Sequence, residues 1–483
     1  MASAQAQTQT SPADLASRIV EQRAVEAVIW GMPAVNTQLL YDATLGAGGN
    51  FNQVVYWSRL ISWKNQTLTP NPDTIYFFPL YDTRIGPIVL EIPPAEGGSI
   101  TGSVDDAWQT AIEDVGPAGI DKGNGGKYLL LPPGYSDKVP RGYIPMRSST
   151  YTGFVILRSN LKSASADDIA KAVAYGKRIK LYPLSQANNP RQTKFVDAND
   201  AMYGNVIPYN IKFFEELDRF VQREPWLERD EAMIDQLKSI GIEKNKPFSP
   251  NTKTKEILDN AAREAHAWLN AKYETFFSPS YFEGTHWAVP APPDVIEGME
   301  TNFADRDNYP TDDRGALYSF VYFSAKHLGQ GQFYVMEIKD KDGQPFDGGK
   351  SYHLNVPANA PVRLYWSATA YDRTTHALIR DEARGSRASN SPDLQKNADG
   401  SVDIWFGPQA PVGKETNWVP TRSGGEFEVL FRLYGPEKSL FDKAWTLPDV
   451  EKILGAMDGV EKCIIFARAS ASCPEMLDGT GKF

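Results

Sequence analysis

Along this 483-residue chain the spacing of apolar residues changes twice, from strand-like to helical and back to strand-like. From Phe51 to Arg158, short apolar runs such as 75–80, 88–92, 128–131 and 154–157 are each bounded by Pro, Gly, Asn or Asp. Brief β-branched and aromatic runs between turn formers are the pattern of strands that pair through tight loops. After Ser165 the pattern turns helical. Ser165 stands where an N-cap belongs, Asp167 and Asp168 favour the positive end of a helix, and Ile169 and Val173 follow on one face. Further helices are expected over about 208–222, 228–240 and 252–276. From Ala316 to about Phe431 the alternation returns, in 352–356, 362–368, 402–406 and 427–433, with Asp342-Gly343 and Asp399-Gly400 as turn signals.

A lead-in helix is expected over 13–42, with Gly31, Met32 and Pro33 breaking its pattern. The length exceeds the roughly 250 to 300 residues at which a single core stops growing. The fold class expected is therefore mainly β with a helical block, a multi-domain α+β chain of two β-sandwich or jelly-roll-like domains separated by a helical segment. The expected boundaries are a tail and lead-in helix over 1–50, a first β-sandwich over 51–164, and a helical block over 165–288. A linker over 289–315, a second jelly-roll-like β domain over 316–454 and a C-terminal tail over 455–483 follow.

Composition removes two classes of partner. A net charge of −10 and a pI near 5.2 lack the basic face that a phosphate backbone requires, so no nucleic acid is expected. The apolar runs fall short of the roughly 20 residues of a membrane helix, so no membrane span is expected. Residues 1–10 lack a basic start and an apolar core, yet Ala2, Ser3 and Ala4 before Gln-rich sequence resemble an export cleavage site. The expected location is periplasmic or secreted, with the signal removed. Cys463 and Cys473 allow one short disulfide in an oxidising compartment, or two free thiols.

Two groups of motifs carry a family resemblance. Pro70-Asn71-Pro72-Asp73-Thr74-Ile75-Tyr76 and the run from Gly123 to Pro133 resemble a domain of unknown function numbered 1254. Trp366-Ser367-Ala368-Thr369-Ala370-Tyr371-Asp372, the run from Leu394 to Val402, and Asn417-Trp418-Val419-Pro420 resemble its partner, numbered 1214. The resemblance runs from about Glu21 to Ile453 and is to a bacterial two-domain family. It implies two β-sandwich or jelly-roll-like domains with helices between them and frequent export, and it supplies no catalytic residues.

Local catalytic motifs are largely absent. Gly348-Gly349-Lys350-Ser351 ends like a phosphate loop, but Gln344 stands where Gly is needed and a strand-like run follows. Asn397, Asp399, Ser401 and Asp403 alternate like a calcium loop, but Val402 holds the Gly position. No G-x-S-x-G elbow occurs, and the five histidines lack H-x-H or H-x-x-x-H spacing, so neither cofactor nor metal is expected. His376 follows a strand-like run and could act as a general base oriented by Asp372, against a plain reading as a capped turn. Asp105 and Asp106 beside Trp108, with Glu113 and Asp114 nearby, have the carboxylate-and-ring composition of glycan sites, against a solvated acidic loop.

Candidate binding residues are Trp63, Asn71, Asp73, Tyr76, Trp108, Trp366, Tyr371 and Trp418, with Arg147, Arg158 and Arg432 as cationic contacts. Turn-holding and core-filling are the plain readings of the same side chains. The functional expectation is an exported hydrolase acting on a small or oligomeric organic substrate in a domain cleft. The alternative is a non-catalytic envelope ligand-binding or structural protein, with self-association left open.

Overall fold

The computed structural model describes residues 11–322 and 325–453. The first ten residues, the tail over 455–483 and both cysteines lie outside the described residues.

Pro12–Gly46 forms one 35-residue helix. The Ser11 hydroxyl accepts from the Asp14 amide at 3.1 Å, and Pro12 sits in the first turn, where its missing N–H is no loss. The break expected at Gly31-Met32-Pro33 does not occur, and the helix continues through Pro33. Nearly every side chain from Val28 to Gln38 is buried, because other helices pack around this segment. The Thr37 hydroxyl donates to the Pro33 carbonyl at 3.1 Å, and a Cβ on Gly31 would stand 2.9 Å from Leu217 Cδ1. Tertiary burial on all sides thus overrides the local proline signal.

The first β unit is two packed sheets. One has six strands in the order Phe195–Asp197, Gln53–Tyr56, Ile75–Asp82, Thr152–Ser159, Ile100–Asp106, Ala111–Val115. The other orders Lys180–Pro183, Ile88–Ile92, Gly126–Leu131 and Ile144–Arg147. The six-stranded sheet turns Val54, Phe77, Val155 and Leu157 toward its partner sheet. Its other face, with Tyr76, Phe78, Phe154 and Ile156, packs on the helices. Burial on both faces explains why its central strands read as nearly continuous apolar runs.

The helices read in the middle of the chain are Ala166–Gly176, Ile211–Arg223, Glu231–Ser239 and Thr252–Thr275. Between the first two, Lys180–Pro183, Phe195–Asp197 and Tyr203–Gly204 return to pair with strands of the first β unit. The stretch read as a linker contains the helix Pro293–Glu300 and the start of another, Thr311–Tyr318.

The second β unit packs a sheet ordered Gln332–Glu337, Glu426–Pro436, Val362–Asp372, Ser386–Ala388 on one ordered Trp418–Pro420, Val402–Gly407, Tyr352–Val356, Glu451–Lys452. Strand Glu426–Pro436 places Phe427, Val429, Phe431 and Leu433 in the sandwich core. Its alternate residues Glu428, Leu430, Arg432 and Tyr434 bond or pack toward the helices and the first β unit. Among the described residues no helix is long and apolar enough to cross a membrane.

Candidate functional site

The two β units are joined through the loop just before strand Ile75–Asp82. The Thr69 amide donates to the His376 carbonyl at 2.6 Å, and the Tyr371 hydroxyl donates to the Pro70 carbonyl. Asn71 Nδ2 donates to the hydroxyls of Tyr365 and Tyr434 at 2.9 and 3.0 Å, while its backbone N–H donates to Tyr76 at 3.0 Å. Asp73 Oδ2 accepts from Ser386 at 2.7 Å. Burial pushes the Asp73 carboxyl upward, against the pull of Ser386, Arg432 and Arg387.

Beside this joint lies a cavity of about 130 Å³. Its walls are mostly apolar and include Leu68, Ile156, Val289, Val295, Met299, Phe320 and Leu430. Its cationic lining comes from Arg158, on the first β unit, and Arg432, on the second. These two guanidinium groups share Tyr76, Tyr334 and Tyr434 as electrostatic neighbours. Arg158 lies over the Tyr76 ring at 5.5 Å and Arg432 over the Tyr334 ring at 5.4 Å.

Arg432 is 2% exposed, yet it donates to the Thr369 hydroxyl, the Thr69 carbonyl and the Tyr371 hydroxyl, all neutral oxygens. Asp73 is a nearby carboxyl, but every direct hydrogen bond of this buried cation goes to a neutral oxygen, so an incoming anion would gain a charge-assisted partner there. Burial raises the Tyr76, Tyr334, Tyr365 and Tyr371 hydroxyls above their ordinary range, so all four remain neutral donors at neutral pH.

A second polar cluster stands behind one wall of the cavity. His376 Nδ1 lies 2.7 Å from Glu428 Oε1, and Tyr273 donates to Glu428 Oε2 at 2.8 Å. Of the two readings of Asp372, orienting partner of His376 or turn former, the structure shows the turn former. Asp372 ends its strand and accepts from the amides of Thr374 and Thr375 at 3.0 Å, so its carboxylate holds its own turn. Glu428 takes the histidine because it lies opposite Tyr371 on the neighbouring strand. The rings of Tyr273 and Phe320 flank the imidazole at 5.2 and 5.7 Å, and Phe320 is also a wall of the cavity.

The other residues singled out in the sequence fall elsewhere. Asp106 Oδ1 accepts from the amides of Trp108 and Thr110 at 2.9 Å, and Asp105 is fully buried beside it in the same strand. Trp108 packs against Trp30 and Phe220 at 4.8 and 5.0 Å, which makes it a core residue. Trp366 stacks on Phe431 at 5.4 Å, and the Trp418 indole donates to the Gly407 carbonyl at 2.9 Å. Trp63 lines a different depression with Asp73 and Arg384, and exposed Arg147 bonds to the Tyr135 carbonyl at 3.2 Å. Thus Tyr76, Arg158 and Arg432 line the cavity and Asn71, Asp73 and Tyr371 hold its joint, while the rest lie away from its lining.

Sequence reasoning missed Tyr334, Tyr365, Tyr434 and Glu428. The signal was present in Glu426–Pro436, where Phe-Val-Phe-Leu alternates with Glu-Leu-Arg-Tyr. A strand with one fully apolar face and a second face that carries Glu, Arg and Tyr yet is buried along its length marks a polar face packed against another unit.

These features define a class of two β-sandwich units joined by helices, with a cationic cavity at the joint. Residues 51–183 match a family described as a protein of unknown function, DUF1254, and residues 331–438 match another so described, DUF1214. The chain thus carries a stretch similar to DUF1254 ahead of a stretch similar to DUF1214. No curated protein matches it. The VPA0106 protein from Vibrio parahaemolyticus is similar in structure with a TM-score of 0.56 at 16% identity, over 90% of this chain and 100% of that one. At that identity the likeness is one of fold. An uncharacterized protein from Burkholderia cenocepacia matches with a TM-score of 0.38 at 10% identity, over 91% of this chain and 94% of that one.

Proposed function

We propose that this protein binds a small organic anion, a monocarboxylate with a compact apolar body, in the cavity between its two β units. The observation that carries the reading is Arg432, buried with three neutral acceptors, beside Arg158 on the lining of an otherwise apolar pocket. Arginine presents a planar fork that matches a carboxylate, and charge-assisted bonds of this kind are the strong ones. The volume sets the ligand's size. An apolar cavity of about 150 Å³ accommodates benzene, so 130 Å³ suits a ring or a short branched chain.

Binding is favoured over hydrolysis because the buried His376 and Glu428 pair stands behind Phe320 and Tyr273 instead of on the cavity lining. Melting temperature measured with benzoate or hexanoate, against benzamide or hexanamide of equal shape, tests the reading. The acids are expected to stabilise the protein and the amides are not. Arg432→Met, or Arg158→Met should the first variant fold poorly, is expected to weaken benzoate binding at least tenfold, about 1.4 kcal/mol. Equal shifts from acid and amide, or unchanged benzoate affinity in a folded Arg158→Met protein, would overturn the proposal.

A further inference from the structure

Within the second β unit, three side chains from distant parts of the sequence meet. His286 precedes the helix Pro293–Glu300, Glu337 ends the strand Gln332–Glu337, and Asp449 stands just before the strand Glu451–Lys452. Their potential ligand atoms all lie within 4.8 Å of one another. Main-chain bonds stitch these segments together. Ala288 and Met336 exchange two N–H···O bonds of 3.0 and 2.8 Å, and the Lys341 amide donates to the Val450 carbonyl at 3.0 Å. The Trp287 indole donates to the Pro448 carbonyl at 2.9 Å, and the His286 amide donates to Asp449 Oδ1 at 2.8 Å. The three side chains are therefore held by scaffold.

Glu337 is the unusual member. It is fully buried, its Oε2 accepts from the Val450 amide at 3.2 Å, and its Oε1 receives no hydrogen bond. Two carboxyl groups this close require a cation or a shared proton between them. His286 Nδ1 is hydrogen-bonded to Asp449 Oδ2 at 2.7 Å, a contact that an ion would widen, and the imidazole completes one nitrogen and two oxygen donors. That donor set suits divalent first-row transition ions, whose ligands stand roughly 3.4 Å apart around a tetrahedral centre. The imidazole is 40% exposed, which gives an ion a route of entry and leaves room for water as a further ligand.

We propose that His286, Glu337 and Asp449 bind one divalent transition-metal ion of the zinc or manganese type, which fastens the segment before Glu451–Lys452 to the second β unit. The test is calorimetric titration of Zn²⁺ and Mn²⁺ into the chelator-treated full chain. Cys463 and Cys473 are replaced by Ser in every sample, so that their thiols supply no competing site. One equivalent is expected to bind, with a rise in melting temperature, and His286→Ala and Glu337→Gln are each expected to weaken binding by at least about tenfold. Glu337→Gln keeps the side-chain volume, so its metal-free melting should match or exceed that of the parent, whereas His286→Ala, which loses the bond to Asp449, should melt somewhat lower yet remain folded. Absence of saturable one-to-one binding, or equal affinity in parent and both variants, overturns the proposal. If Glu337→Gln melts higher and the parent binds no metal, the pair shares a proton, which also overturns it.

Discussion

Glu216 shows how burial sets the behaviour of a single carboxyl. It lies between Asp42 and Arg219, with Arg219 Nη1 at 2.7 Å from both Asp42 Oδ2 and Glu216 Oε2. Burial first and Asp42 second push its carboxyl up to about 7, against the pull of Arg219. An acid raised in the folded state holds its proton more tightly there than in the unfolded chain. Its contribution to stability is full below about 4.5 and is lost as pH rises toward 7. Glu216→Gln removes this titration, so wild-type melting temperature should fall relative to the variant between those two pH values. Parallel profiles would contradict the assignment. Asn71 and Tyr76 stand out in the sequence because they flank a Pro-bounded turn, and Tyr371 and Arg432 are also binding candidates there. The structure brings all four to the cavity or its joint. Sequence reasoning missed the partner of His376, since Glu428 is 52 residues away and only strand register brings it near.

At the scale of elements, the first helix clamps much of the molecule. Asn36, fully buried, donates to the carbonyls of Tyr318 and Val321 at 2.7 and 2.6 Å and accepts from Asn205 at 2.6 Å. Asn36→Leu leaves those three groups unmatched and is expected to lower stability by about 3 kcal/mol in denaturant unfolding. A change under about 1 kcal/mol would mean that the clamp is not energetically important. Strand contacts set equally sharp limits. A Cβ on Gly102 would lie 2.0 Å from the Ile156 carbonyl oxygen, so Gly102→Ala must separate two central strands, at a cost of about 3 kcal/mol. Helices with capped, periodic sequences were legible, whereas continuation through Pro33 was not, because it depends on burial by other helices. The short helices Pro293–Glu300 and Thr311–Tyr318 were hidden by their Pro-rich and polar composition, and the short returning strands of 180–204 carry too few residues for a period.

Besides the separate cores inside the two sandwiches, one apolar cluster links the parts of the molecule. A single apolar cluster contains Phe78 and Ile156 from the first β unit, Leu217 and Leu269 from helices, and Tyr371 and Leu430 from the second β unit. Unfolding by differential scanning calorimetry is therefore expected to give one cooperative transition, whereas two separated transitions would indicate units that fold independently. The same continuity brings Arg158 and Arg432, from different β units, to the lining of one cavity, a relation that no local motif could encode. A crystal structure of the benzoate complex tests that relation most directly. The carboxylate is predicted to lie against Arg432 and Arg158 with its ring between Val295, Met299 and Leu430, and benzoate bound elsewhere or absent from this cavity at saturating concentration would contradict it.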